Sequence, residues 1–199
     1  MNISSTTIEK TNTKATSHQR LVYMTSTALF AAMICITTAY IFHIPFGMNG
    51  RYVHVGDSLI YLAAATLPMP YAMIAGAIGG AFADLLTAPI WAPATFIIKM
   101  IIALPFTCKK DKYITPRNVA AVFIAGVLSF TGYYLADVIL FGTWGALIPS
   151  IMGSLAQSGG SAILFIIFGI ALDKMHFKGM LKIQVRLGVL AARCASCFA

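Results

Sequence analysis

Of 199 residues, 59% are hydrophobic and only 10% are charged, and the net charge is +8. A soluble domain averages roughly 25% charged residues, so a water-soluble enzyme is excluded, and there is almost no soluble mass in which to house a nucleotide site. The basic residues come without an aromatic-studded basic face, which argues against nucleic acid as a partner.

Residues 1–19, MNISSTTIEKTNTKATSHQ, are polar and rich in Thr and Ser. They lack the apolar core of a signal peptide and are expected to form a disordered cytoplasmic lead-in. Residues 20–175 are expected to form one all-α integral membrane domain, a compact bundle of six transmembrane helices. Residues 176–199 are expected to be a cytoplasmic basic tail. The first helix is predicted over 21–43, within a run, Leu21 to Gly50, that holds no Asp, Glu, Lys or Arg. Uncharged runs beyond about 18 residues read as membrane spans. A short second helix is predicted over 57–67 and is stopped by PMP at 68–70, since proline cannot continue the pattern. A third helix is predicted over 71–88. After the break APIWAP, a fourth runs from Pro93 to about Cys108, and the charged loop KKDKYITPR follows. The fifth is predicted over 118–141 and the sixth from Pro149 to about Asp173. Across residues 118–172 the sole Asp, Glu, Lys or Arg is Asp137.

With six spans both termini share a side. Twelve of the fourteen Lys and Arg fall on it, the exceptions being Arg51 and Lys99. Basic residues gather on the cytoplasmic side of membrane proteins, so both termini of this multi-pass protein are expected to be cytoplasmic.

The ionisable groups that this rule leaves over all fall in the outer half of the bundle. Arg51, His54 and Asp57 cluster where the first outer loop feeds the second helix. Asp84 and Asp137 lie near outer helix ends. Lys99 lies about six residues into its helix, or ~9 Å deep. Trp91, Thr95 and Lys99 recur every four residues, as do Tyr133 and Asp137, and such spacing places each set on one face. Ser154, Gln157, Ser158 and Ser161 form a polar stripe on the sixth helix. Intramembrane ionisable groups face a cavity or one another. The set reads either as a pocket open to the outside or as an internal network, such as an Asp84–Lys99 pair that joins helices. Asp57, at a helix start, reads as a cap for exposed N–H groups, and His54 as either a loop or a site residue.

Small residues mark close packing. Ala72, Gly76, Gly80 and Asp84 follow one another every four positions, and Ala28 and Ala32 repeat the spacing on the first helix. This pattern permits close approach of helices within the bundle or of another membrane protein. No metalloprotease, Walker A, nucleophile-elbow or kinase signature is present, and no metal-ligating set forms. A membrane enzyme or a stand-alone secondary transporter with an outward polar cavity is the competing reading. The first lacks a nucleophile–base pair and the second lacks a clear inverted repeat.

The basic N-terminus, the Ala-rich TALFAAMICITTAYI, the loop ending YVHVGDSLIYLAAATLP and the run AMIAGAIGGAFADLLTAPIWAPATFIIKMI follow in an order that resembles the substrate-binding S component of energy-coupling factor (ECF) transporters. Among these the chain is most similar to the hydroxymethylpyrimidine/pyridoxine type. The resemblance covers about residues 20–175. It implies a non-catalytic subunit that captures a vitamin from outside and carries it inward with a transmembrane T component and two cytoplasmic ATPases. ATP and Mg would be bound by those partners, and this chain would hold no cofactor. It also implies a binding site built from the first outer loop, with Pro45–Gly56 as its lid, and from the outer ends of helices four to six. The candidate substrate-binding residues are therefore His54, Asp84, Trp91, Thr95, Lys99, Tyr133, Asp137, Gln157 and Ser158. Ala28 and Ala32 are the implied docking residues for the T component. Trp91, Tyr133, Tyr134 and Trp144 offer stacking surfaces, so the expected ligand is a small planar polar molecule. The chain lacks the His-rich N-terminal segment of metal-specific S components.

Overall fold

The computed structural model describes residues 3–41, 44–45, 52–142 and 144–180. Six α-helices lie among them: α1 (Ile3–Tyr40), α2 (Asp57–Thr66), α3 (Met69–Thr87), α4 (Ala92–Ile102), α5 (Pro116–Phe141) and α6 (Leu147–Lys174). Between α1 and α2 a two-residue antiparallel ladder joins β1 (Ile44–Pro45) to β2 (Tyr52–Val53), pairing Ile44 with Val53 and Pro45 with Tyr52. Half of the expected lid, positions 46–51, lies outside the described residues. Arg51 and the tail beyond 180 lie outside them too.

Prolines punctuate the chain. α2 ends at Thr66, and its C-cap Leu67 is extended (φ −95°, ψ 153°), because Pro68 bars its neighbour from helical geometry. Pro70 then occupies the first turn of α3, where a missing N–H costs nothing. α3 ends at Thr87 with Ala88 as its C-cap, and a 3₁₀ turn, Pro89–Trp91, runs directly into α4. α5 opens on Thr115, whose Oγ1 accepts from the Asn118 N–H at 3.2 Å.

Two expectations change here. Helix extends through residues 3–19, the segment expected to be disordered, so α1 has no boundary at residue 20. α4 stops at Ile102 rather than near Cys108, because Pro105 lies where its next turn would form. Four helical stretches are long and apolar enough to cross a membrane: Gln19–Tyr40, Met69–Thr87, Pro116–Phe141 and Ile151–Lys174. α2, with 10 residues, and α4, with 11, reach only ~15–17 Å, against a hydrocarbon core of about 30 Å. α2 is enclosed, with Asp57, Ser58 and Ile60–Ala65 all buried.

Packing follows the small residues. A Cβ at Gly79 would lie 2.6 Å from the Ala31 carbonyl oxygen and 2.8 Å from Ile34 Cβ, so glycine there lets α3 press on the α1 backbone. Inside the bundle, Tyr61 stacks on Phe106 (4.9 Å between centroids) and meets the edge of Phe165 (6.0 Å). At the end opposite Asp57, the loop 103–115 is strapped down. The Asp173 carboxylate accepts the N–H groups of Tyr113 (2.6 Å) and Ile114 (3.0 Å). Asn118 donates to the carbonyls of Thr107 and Tyr113 and accepts the Thr107 N–H. Lys178 Nζ donates to the carbonyls of Lys110 and Lys112, each at 3.1 Å, and lies over the Tyr113 ring. Outward, large apolar side chains such as Phe123 and Ile139 stand exposed, as a surface facing lipid requires.

Candidate functional site

The site starts from a glycine. α3 presents Gly76 and Gly80 to α4: a Cβ at Gly76 would sit 3.0 Å from the Lys99 carbonyl, and one at Gly80 2.8 Å from Lys99 Cγ. The missing side chains leave a channel along which the Lys99 stem runs. One turn further along the same face of α3, Asp84 accepts a short hydrogen bond from Thr95 Oγ1. Thr95 Oγ1 also lies 3.1 Å from Tyr133 Oη on α5. The Lys99 ammonium sits 5.3 Å from the centre of the Tyr133 ring, within the range of a cation–π contact.

The ammonium's acidic partner is Asp57. Lys99 Nζ donates to Asp57 Oδ1 at 2.5 Å, and both side chains are essentially inaccessible. The other carboxylate oxygen accepts from Gln157 Nε2 of α6 at 2.7 Å. This overturns two expectations. Lys99 bonds Asp57 rather than Asp84. Asp57 does not cap α2, whose N-cap is Gly56 with no side-chain cap bond. Its place in the first turn of α2 still favours a negative charge through the helix dipole. His54, also buried, accepts the Gly56 N–H on Nδ1 at 3.1 Å and so shapes the turn that delivers Asp57.

Aromatic groups close the other side. Trp91 is 3% exposed. Its ring meets Tyr133 (6.2 Å, 60°) and Phe141 (5.7 Å, 45°). Asp137, one turn beyond Tyr133, is buried at 1% exposure.

The structure thus brings together His54, Asp84, Trp91, Thr95, Lys99, Tyr133 and Gln157, and it adds Asp57 at the centre. Ser158 and Ser154 lie elsewhere: they line a groove between α5 and α6 with Gly126 and Phe130. Tyr134 stacks on Phe130 (6.1 Å), away from the cluster, and Trp144 is 71% exposed. Ala28 and Ala32 are exposed on the α1–α3 groove, while Thr27 and Ala31 are buried.

Chemically, five chain segments converge on one buried set: two carboxylates, an ammonium, a carboxamide, hydroxyls and aromatic faces. The set suits recognition by hydrogen bonds and ring contacts. The profile of the "ECF-type riboflavin transporter, S component" family matches residues 18–174. The chain belongs to this family. As an ECF S component it is a substrate-binding subunit of a membrane importer, of the kind that works with a T component and ATPases, and its role is transport rather than catalysis. The S component is also similar to an "Uncharacterized protein in gap 3'region" from Pyrococcus woesei, at 28% identity over 116 residues, which covers 57% of this chain and 76% of that protein.

Proposed function

We propose that this S component captures a small, planar, water-soluble vitamin or vitamin precursor from outside and hands it inward with ATP hydrolysed by partner subunits. The observation that carries this is the buried polar cluster centred on Asp57, Lys99 and Gln157 at one end of the bundle. Burying such groups is costly unless they are paired or used.

In the proposed topology α2 and α4 are short crossings within a six-segment bundle, and both termini are cytoplasmic. Supporting this, Thr66 at the end of α2 bonds Tyr113 Oη at 3.2 Å. That contact joins the end of α2 to the loop before α5, both of which the topology places on the inner side, with the basic loop 109–117. The polar cluster then faces outward. Ala28 and Ala32 line the surface for the T component, where small side chains permit close helix approach.

A single-ring ligand of the hydroxymethylpyrimidine or pyridoxine type is the first reading, because the cluster pairs the aromatic faces of Trp91 and Tyr133 with the hydrogen-bonding groups of Asp84, Thr95 and Gln157. Riboflavin is the second, favoured by the description of the matching family. Mass spectrometry of small molecules released from the purified protein, followed by titration with hydroxymethylpyrimidine, pyridoxine and riboflavin, decides between them. Gln157→Ala, in the cluster, and Asp137→Ala, one turn beyond Tyr133, are expected to weaken binding at least tenfold, at ~1.4 kcal/mol per decade, and Ser158→Ala to change it little. A folded Gln157→Ala protein that binds like wild type would remove the pocket from this cluster.

A further inference from the structure

The groove between α1 and α3 encloses about 670 Å³ and is walled by Met24, Ala28, Ala32, Ile74, Ile78 and Phe82. It exists because alanine on α1 and glycine on α3 put no side chain across it. Its one charged lining residue, Arg20, lies at one end and is exposed. No ion pair of Arg20 with a carboxylate occurs among the described residues. Beside it Tyr71, also lining the groove, packs on Tyr23 (5.3 Å between centroids), whose hydroxyl accepts from Gln19 at 3.2 Å. An Arg with paired tyrosines at a span's end marks the membrane interface. From Arg20 to Cys35 the groove follows α1 for ~22 Å at 1.5 Å per residue. One leaflet of hydrocarbon is only about 15 Å deep, half of a ~30 Å core, so an acyl chain hanging from a headgroup at Arg20 fits inside the groove along its full length.

We infer that, in the solitary protein, this groove holds one anionic phospholipid of the inner leaflet, with its phosphate on the Arg20 guanidinium and an acyl chain along Ala28, Ala32 and Gly79. The charge complementarity chooses the lipid. A guanidinium binds a phosphate through two parallel N–H bonds, and an added net negative headgroup charge strengthens that contact over a zwitterion. The lipid would be the ground-state occupant that a docking partner displaces. Only its assignment to the inner leaflet rests on the proposed topology.

The test uses the full chain in nanodiscs of equimolar phosphatidylglycerol and phosphatidylcholine, released for native mass spectrometry. Wild type should retain one phosphatidylglycerol about fivefold over phosphatidylcholine, the ratio that corresponds to the ~1 kcal/mol of one basic residue near an anionic headgroup. Arg20→Gln should bring the ratio near one, and Arg20→Lys should keep most of it. Ala28→Trp with Ala32→Trp should lower retention of both lipids by filling the groove. Lys110→Gln, on an exposed loop away from the groove, should leave the ratio unchanged. Equal retention of the two lipids by wild type, or a preference that survives Arg20→Gln, overturns the proposal. So does a preference lost equally in Lys110→Gln, which would make it a property of net charge. Vitamin titration of the same samples reads the outer pocket independently, so failure of one reading leaves the other standing.

Discussion

Replacing Lys99 with Met isolates the charge at the centre of the cluster. Methionine keeps most of the stem that fills the channel beside Gly76 and Gly80, so packing changes little. Asp57, fully buried, then keeps Gln157 but loses the ammonium at 2.5 Å. Removing one partner of a buried ion pair costs about 3–5 kcal/mol, because the remaining charge is left uncompensated. Asp57→Asn should cost a similar ~3–5 kcal/mol by leaving the ammonium without its carboxylate. The double variant removes both charges, so its cost should fall short of the sum by at least about 3 kcal/mol. The assay is unfolding in mixed micelles, followed by the fluorescence of Trp91, which packs on Tyr133 within the cluster. Additivity of the two single costs within ~0.5 kcal/mol would refute the claim that the pair is one energetic unit. Ligand titration of the folded double variant separates structure from function. A purely internal network predicts wild-type affinity, whereas a binding pocket predicts a loss of at least tenfold, or ~1.4 kcal/mol.

Three further outcomes follow from other parts of the fold. Ala28→Trp or Ala32→Trp should block copurification with a coexpressed T component while ligand affinity of the solitary protein stays within about twofold, since both residues are exposed on α1 away from the cluster; transport that survives both changes removes this face from the interface. Gly80→Val should destabilise by roughly 1–3 kcal/mol in a melting or denaturant series, because overpacking here displaces a Lys99 stem that Asp57 holds at its far end; an unchanged unfolding midpoint would show that the stem has room to move. Asp173→Ala strips the acceptors from the Tyr113 and Ile114 N–H groups, so stability should fall by about 1–3 kcal/mol per orphaned buried group and hydrogen exchange in loop 103–115 should rise, with ligand affinity unchanged.

Much of the fold was legible in one dimension. Low charge and long apolar runs determine that the chain is a membrane protein, because bilayer insertion depends on local hydropathy summed over a helix length. The breaks at Pro68 and Pro89 are equally local, since proline acts on its own and its neighbour's backbone. Four-residue spacing correctly grouped Trp91 with Thr95 and Lys99, as helix geometry confines such residues to one face. Spacing could not say what each face meets. The sequence reads Asp57, Asp84 and Asp137 alike as groups of the outer half, and only the rotation and crossing of the helices decide that Asp57 receives Lys99 while Asp84 receives Thr95. The same rotation turns Gln157 toward α2 and its neighbour Ser158 toward the α5 groove. On α1 it buries Ala31 and leaves Ala28 and Ala32 exposed. A helical sequence specifies faces, whereas partners belong to the packed bundle, where contacts join residues as far apart as Asp57 and Gln157 and no local pattern reaches.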